Sequence, residues 1–554
     1  MDLISFLLTS LSEGEKTAIV TGEKRVSWNE LKERVYRLAN GLSGLGVKED
    51  DRVSFMLYNS NEFIETLFGG SILGCLTPAV NWHSKGDELV HVLNSVNTNT
   101  LVFDSDFLGN VMDVKDRLNG VKNYVVLGEE VPDDMISYDV LINRSPKHKP
   151  ENAVSYLGLH LFTGGTTGLP KSLNYYKFFN ALFKRSDSVE KTLKEIKKDN
   201  PATPTDMPGL MGSMAPILSL LPLLDFHKHE NSLILPAPLY HPGVWVGAIS
   251  FLLFGGKTVM MRKFDALEFL RFVEEENITV AYAPPILLQR MLNVPVDERK
   301  KCDLSSMKVI ICAAAPCPPD VKRGINDLFM DQGATEPVFH EYYASSDGGL
   351  ASVLNPKHYL EDPGRYRSVG MTAGNVKILN LDGGLCEAGG IGDLYINGGL
   401  SNVITYGGTK DKASDNIIKI DGDYFWKEGT TGYLDEDGFL YITGRIKDMI
   451  ISGGVNIFPD EIECAILKHP KIEDVVVIGV PDTEWGEAIK AIVQLKKGET
   501  ATEEEILKYC REHLMGYKKP KSIDFMDELP RHIDGKVLKR KLKGKYWEGV
   551  ESFG

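Results

Sequence analysis

The 554-residue chain is short of the features that mark several whole classes of protein. Its seven cysteines (Cys75, Cys302, Cys312, Cys317, Cys386, Cys464 and Cys510) are scattered and form no Cys-x-x-Cys pair. Neither a zinc site nor a thioredoxin-like centre is indicated. An odd count without repeated spacing suits a reducing compartment. An excess of positive charge is also lacking. A formal net charge of -15 argues against general nucleic-acid binding, which needs basic surface against phosphates. No internal repeat or low-complexity tract is present. Charge-free apolar runs of membrane length are nearly absent too. Met207 to Leu224 approaches a bilayer span, but Pro208, Pro216 and Pro222, with Gly209 and Gly212, would break most of its helix. We read it as a buried or pocket-lining segment and expect no stable membrane span. Met1-Asp2-Leu3 opens without the basic flank of a signal peptide, so the expected location is cytoplasmic.

What is present points to a large α/β protein. Helical and strand periods alternate along much of the chain. Trp28 to Leu42 reads as an amphipathic helix, Asp51 to Leu57 as a strand, and Glu62 to Leu73 as a helix. Val309-Ile310-Ile311-Cys312 reads as a short buried strand. Such alternation predicts α/β layers. Residues 184–200 read as a charged surface helix with one apolar stripe, Val189, Leu193 and Ile196. The role of the 184–225 insertion is left open. Beyond Asp448 the texture changes. A helix from about Pro459 to Lys468, the run Val475–Ile478, and a helix begun by a Thr502/Glu505 capping box predict a small α+β domain.

One stretch carries the chemistry. Leu161 to Ser172 reads LFTGGTTGLPKS. Tyr156 to Phe162 reads as a strand leading into a loop. Gly164, Gly165 and Gly168 permit close approach of a ligand. Thr163, Thr166 and Thr167 add hydroxyl donors, and Lys171 adds a mobile cation. A polyphosphate suits such a donor set. It is not a P-loop, because Leu169-Pro170 separates the last glycine from the lysine. Alone, the stretch is also compatible with an ordinary turn.

This segment resembles the phosphate loop of the adenylate-forming superfamily, Ser/Thr-Gly-Thr-Thr-Gly-x-Pro-Lys, which includes the acyl-CoA synthetases. The resemblance runs along nearly the whole chain in the family's order. Pro238-Leu239-Tyr240-His241-Pro242-Gly243 is similar to the segment lining the acyl pocket, where His241 would sit beside the carboxylate. Ala313-Ala314-Ala315-Pro316 resembles the small-residue strand end that lies against adenine, giving Ala314 and Ala315 that role. His340 to Asp347 is similar to Glu-x-Tyr-Gly-x-Thr-Glu. It implies that Tyr343 stacks on adenine, Ser346 bonds the α-phosphate and Asp347 holds magnesium. Gly444 to Ile450, then Gly453 to Pro459, follow closely. They imply that Arg445 contacts ribose, Lys447 is a hinge, and Gly453 and Gly454 line the pantetheine tunnel. Leu529 to Leu538 resembles the segment of the adenylation lysine, here Lys536. Without the resemblance this basic run reads as a solvated face.

The resemblance implies an α/β fold: a large, multi-subdomain N-terminal adenylation domain over 1–446 and a small mobile α+β C-terminal domain over 447–554. It implies an ATP-dependent acyl-CoA synthetase using Mg2+ and CoA on a carboxylic-acid substrate. Lys536, His241 and Lys171 are then the catalytic candidates. Two departures stand out. Asp347 is a methylene shorter than the family's glutamate. Glu428-Gly429-Thr430 stands where the family reads Thr-Gly-Asp, so Thr430 replaces the aspartate that accepts both ribose hydroxyls. Losing a charge-assisted bond there would cost about 1.5–3 kcal/mol. These departures keep a second reading in play, a decayed nucleotide- or acyl-CoA-binding protein. A third, an amino-acid or acyl adenylating enzyme loading a carrier protein, lacks an acid after Tyr240 for an α-ammonium. The acyl group is not legible, and assembly is open, a homodimer included.

Overall fold

The computed structural model describes residues 14–547 apart from 155–157, 163–171, 175–187, 199, 226–231, 242–243, 245–247, 249–250, 253–254, 316, 346–347, 381, 398–404, 408–415, 446–447, 454 and 532–536. Its centre is a 14-stranded sheet. One half is largely parallel. Lys257–Met260, Ser232–Leu235, Val280–Tyr282, Val309–Cys312 and Phe339–Ser345 lie side by side in that order. Three of these strands, Ser232–Leu235, Val280–Tyr282 and Val309–Cys312, are buried at every position, as parallel strands covered on both faces must be. Beyond Phe339–Ser345 the pairing turns antiparallel, through Gly349–Leu354 and Gly370–Thr372 to Phe439–Arg445 and Asp423–Leu434.

A second sheet of four parallel strands is built on Val53–Met56 and Thr100–Asp104. The expected helices flank these strands. Trp28–Gly44 is capped by Ser27, whose hydroxyl accepts from the Glu30 N–H, and it buries Leu31, Val35, Leu38 and Leu42 on one stripe. Asn61–Ile72 is buried at every position, and its carboxylates are satisfied. Glu65 takes Arg34 at 2.6 Å and the Tyr138 hydroxyl at 2.8 Å.

The small C-terminal unit is α+β, as expected. Ile472–Asp482 and Gly486–Leu495 form a long antiparallel pair, extended by Ser522–Phe525 and by the Ile450–Ile457 hairpin. Helices Pro459–Ile466 and Glu503–His513 pack on them over Ile462, Ile466, Val477, Ile489 and Ile506.

Two local expectations are corrected and a third is met. Met207–Leu220 is an unbroken helix, followed by a 3-10 turn over Leu221–Leu224. Pro208 stands in the first turn, where no N–H is needed, and Asp206 caps it by accepting from the Gly209 N–H at 2.8 Å. Pro216 forfeits a single backbone bond. Met211 and Leu218 are exposed, so the segment is only partly buried. Among the described residues no helix is long and apolar enough to cross a membrane. The Thr502 cap is half a box: its hydroxyl accepts from the Glu505 N–H, while the Glu505 carboxylate is drawn away to Lys471 at 2.8 Å. The charged helix, Ser188–Ile196, turns Leu193 and Ile196 into the main core and leaves Lys191 and Lys194 outside.

Candidate active site

The glycine-rich stretch lies between paired strand ends. Leu159–Phe162 and Ser172–Asn174 are antiparallel, with Phe162 opposite Ser172. A P-loop leads from strand to helix; here a second strand follows, which agrees with the exclusion made from spacing. Thr163, Gly164, Gly165, Thr166, Thr167, Gly168 and Lys171 lie outside the described residues, as do Ser346, Asp347, Lys447, Gly454 and Lys536.

The adenine candidates are described. Val309–Cys312 ends in Ala313, Ala314 and Ala315, and pairs with Phe339–Ser345 so that Cys312 faces Glu341. Two residues on stand Ala314 and Tyr343. Ala314 has φ +78°, a left-handed conformation that costs a non-glycine residue about 1 kcal/mol or more and clusters at ligand sites. Tyr343 stands near Thr430. Burial, reinforced by the Glu428 charge, pushes its phenol well above the ordinary range, against the opposing pull of Arg445. Thr430 and Arg445 face each other across two antiparallel strands. A small-residue shelf, an aromatic ring, a hydroxyl and a guanidinium therefore meet at one place. That donor set fits a nucleoside.

Beside them a turn is locked by Glu428. Its carboxylate accepts from the Ser345 hydroxyl at 2.8 Å, and the Ser345 oxygen accepts from the Gly348 N–H at 2.7 Å. A Cβ on Gly348 would come within 1.8 Å of the Glu428 oxygen, so a side chain there would have to displace the Glu428 carboxylate. Ser346 and Asp347 lie between these two cross-linked residues. Beneath the strand, the Lys322 ammonium is bonded to Glu341 and donates to the Ser368 carbonyl at 2.9 Å. Both side chains of the ion pair are almost wholly buried.

His241 lies on the loop after Ser232–Leu235, in a turn where its N–H donates to the Pro238 carbonyl at 3.1 Å. That loop leaves the same carboxyl edge of the parallel strands as Ala314, the usual place for a ligand crevice in an α/β sheet. Asn59, buried and remote in sequence, fixes it. Its amide donates to the Ala237 carbonyl and accepts from the Leu239 N–H, both at 2.8 Å. Asn59, Lys322 and Glu428 escaped motif reading. The Glu428-Gly429-Thr430 departure was the only available signal, and it drew attention to Thr430 alone.

In the small unit, Gly453 has φ +58° and its N–H donates to the Trp485 carbonyl at 2.8 Å. A Cβ there would strike the Trp485 ring at 2.4 Å. The backbone thus runs directly against a flat aromatic wall. Around the Lys536 segment, Arg531 bridges to Val537 and is paired with Asp474. Lys539 meets Glu463 at 2.8 Å and Asp460 at 3.9 Å. Burial lowers the Lys539 ammonium, but the two carboxylates outweigh it and hold it above the usual lysine range.

The family model described as AMP-binding enzyme matches residues 10–405, and that of the AMP-binding enzyme C-terminal domain matches 461–536. The feruloyl-CoA synthase of Amycolatopsis sp is 27% identical, covering 96% of each chain. The indoleacetate–CoA ligase of Aromatoleum aromaticum is 29% identical, over 95% of this chain and 94% of its own. Among solved structures, the anthranilate CoA ligase AuaEII in complex with anthranoyl-AMP superposes with a TM-score of 0.77 at 21% identity. It covers 99% of this chain and 98% of that one, and it shows the shared fold.

Proposed function

The chain belongs to the AMP-binding enzyme family, and on that premise we propose that it is an ATP-dependent acyl-CoA synthetase, an AMP-forming acid–thiol ligase. The observation that supports this is the pairing of Thr430 with Arg445 near Tyr343, on strands next to the one that ends at Ala313–Ala315, with Ser345 and Gly348 cross-linked on either side of positions 346 and 347. A carboxylate oxygen attacks the α-phosphorus of ATP, the bond to the β-phosphate breaks, and pyrophosphate leaves. The CoA thiol sulfur then attacks the acyl carbon, and AMP leaves.

Such chemistry asks the protein to position reactants and to balance charge. Tyr343 and the Ala314–Ala315 shelf hold the base, and Arg445 meets the ribose. Thr163–Gly168 and Lys171 surround the outer phosphates, and Ser346 donates to the α-phosphate. Asp347 offers a hard carboxylate oxygen suited to Mg2+. Lys536 places one positive charge between two mutually repelling anions, the carboxylate and the α-phosphate. His241 stands on the acyl side. A swing of residues 447–554 about Lys447 exchanges Lys536 for the Gly453–Gly454 segment and admits CoA, so that one cleft serves two half-reactions. All seven cysteines are free thiols, which supports a reducing, cytoplasmic setting.

The test supplies ATP, Mg2+, CoA and a panel of aromatic and short, medium and long aliphatic acids, and measures AMP and thioester. Aromatic acids come first, because the two relatives described above act on feruloyl and indoleacetate groups by name. AMP and thioester in equal amounts with one class is the expected result. Nucleotide binding without AMP from any acid would favour the decayed-ligase reading.

A further inference from the structure

We propose that Lys539, with Glu463 and Asp460 around it, is a positioning group for Lys536. It fixes the segment that carries the adenylation lysine against the helix that abuts the Arg445 strand. This role rests on the adenylation site proposed above, in which Lys536 and Arg445 serve one nucleotide.

Three observations carry it. The first is the way the Lys536 segment is tied at its ends. Arg531 and Val537 form an antiparallel bridge, and the Leu538 N–H donates to the Pro530 carbonyl at 2.8 Å. Val537 directly follows Lys536 in the chain. Arg531 is held by Asp474, with its Nε 3.0 Å from the carboxylate. Lys539, which opens helix Lys539–Trp547, is held by Glu463 at 2.8 Å and by Asp460 at 3.9 Å. Charge thus pins both ends. The second observation is what the Lys539 pin joins. Strand Ile472–Asp482 ends the order of its sheet. Val475 and Val477 pack with Ile462 and Ile466, whereas Val476 and Ile478 pack with Val537 and Leu542, as alternation along a strand requires. Glu463, on helix Pro459–Ile466, accepts from the Val477 N–H at 2.7 Å. Lys539 belongs to the opposite layer and meets the same carboxylate oxygen. The ion pair therefore straps the two layers together around the strand. Helix Pro459–Ile466 in turn abuts the Arg445 strand, where a Cβ on Gly444 would meet the Phe458 side chain at 2.7 Å. Lys539 is thus the link from the Lys536 segment to Arg445. The third observation is energetic. The side chains of Lys539 and Glu463 are only 14% and 18% exposed, and two carboxylates share one ammonium. Apolar residues of similar volume often serve stability as well as such a cluster. What the cluster adds is one fixed geometry, and a misplacement of about 1 Å can cost about a hundredfold in rate.

The experiment reads Lys536 itself as well as turnover. Wild type, Lys539→Met, Lys539→Arg and Glu463→Gln are labelled with trace acetic anhydride, and modification of Lys536 is followed by mass spectrometry with and without ATP and Mg2+. Acid-dependent pyrophosphate exchange and thioester formation from supplied acyl-adenylate are measured alongside. ATP should protect Lys536 in the wild type, and Lys539→Met should lose that protection. Exchange should fall about tenfold to a hundredfold in Lys539→Met, with thioester formation unchanged. Lys539→Arg, which keeps the charge and the reach, should restore both protection and exchange. Adding Lys539→Met to Lys536→Ala should cost nothing further, because residues that act as a unit are not additive. Glu463→Gln keeps the shape and an acceptor for Val477. It should show the same losses in smaller degree, and it reads the link if Lys539→Met does not fold. Protection kept in Lys539→Met, an equal fall in both half-reactions, or additive losses with Lys536→Ala would overturn the role. Protection lost in Lys539→Met and restored in Lys539→Arg, in a protein that forms no AMP from any acid, would uphold it and sink the ligase reading. Lys536 unprotected by ATP in an active wild-type ligase would do the reverse. Lys536 unprotected in a wild type without activity would sink both.

Discussion

Lys322 and Lys539 are both enclosed by carboxylates, one in the large unit and one in the small, yet their surroundings differ. Lys322 is 1% exposed and holds a single carboxylate, Glu341, plus the Ser368 carbonyl. Burial pushes Glu341 upward and Lys322 draws it back. Every charge in that cluster lies under the strand that carries Tyr343. Lys539 is 14% exposed and shares two carboxylates, Glu463 and Asp460, and it feels Asp448 near the Lys447 hinge candidate. Asp460 in turn feels Arg445 of the candidate nucleotide site. The first lysine is an anchor of the sheet. The second stands where the small unit meets the large one, three positions after Lys536.

That contrast breaks most sharply on removing one charge at each place. Lys322→Met leaves Glu341 unpaired in the core, and it should destabilise the protein by about 3–5 kcal/mol. The double variant K322M/E341L should recover much of that loss, since replacing both members of a buried pair is often neutral. Chemical denaturation of the three proteins checks both statements; a single variant as stable as the wild type would remove the anchor. Lys536→Ala should change stability by no more than about 0.5 kcal/mol. It should lower adenylation at least about a hundredfold, the scale for losing one aimed charge, yet still form thioester from supplied acyl-adenylate. Equal loss in both half-reactions would contradict a swing of the small domain. Lys539→Met lies between these cases. It should cost about 1–3 kcal/mol, as a broken buried charged bond does, and slow adenylation more than thioester formation.

Two histidines sharpen the comparison further. His358 in the large unit and His469 in the small are both lowered by burial. Each uses Nδ1 to accept a backbone N–H, from Asn355 and Lys471 respectively. Protonation would turn that acceptor into a donor. Their folded-state values lie below the ordinary one, so the stability they contribute is complete above about pH 6.5. It is lost as pH falls through the lowered values. Melting curves from pH 7.5 to 5 should therefore fall. His358→Asn, which keeps an acceptor without the titration, should flatten part of the slope. The smallest effect belongs to Ala314. Ala314→Gly relieves the left-handed strain but frees the unfolded chain, for a net gain below about 1 kcal/mol in thermal denaturation.

Local pattern made much of this legible. The Val309–Cys312 strand, the Trp28 helix and the strand leading into the glycine-rich loop follow from periodicity and short runs. The motif order singles out Ala314, Tyr343, Thr430 and Arg445, and the strand pairing sets Thr430 opposite Arg445. The anchors were not legible because each is a pair distant along the chain. Glu428 reaches Ser345 across 83 positions, and Asn59 reaches Ala237 across 178. The Met207 helix misled because its first proline occupies the one turn that tolerates it. The Glu505 half of the cap failed because Lys471, brought near by the tertiary fold, competes for the same carboxylate.

The central claim is that this chain activates a carboxylic acid on ATP before any thiol is engaged. Exchange of labelled pyrophosphate into ATP, without CoA and across the acid panel, tests it most directly. The account predicts exchange that depends on one class of acid and is lost in Lys536→Ala. No exchange with any acid, by protein that binds ATP, would contradict it.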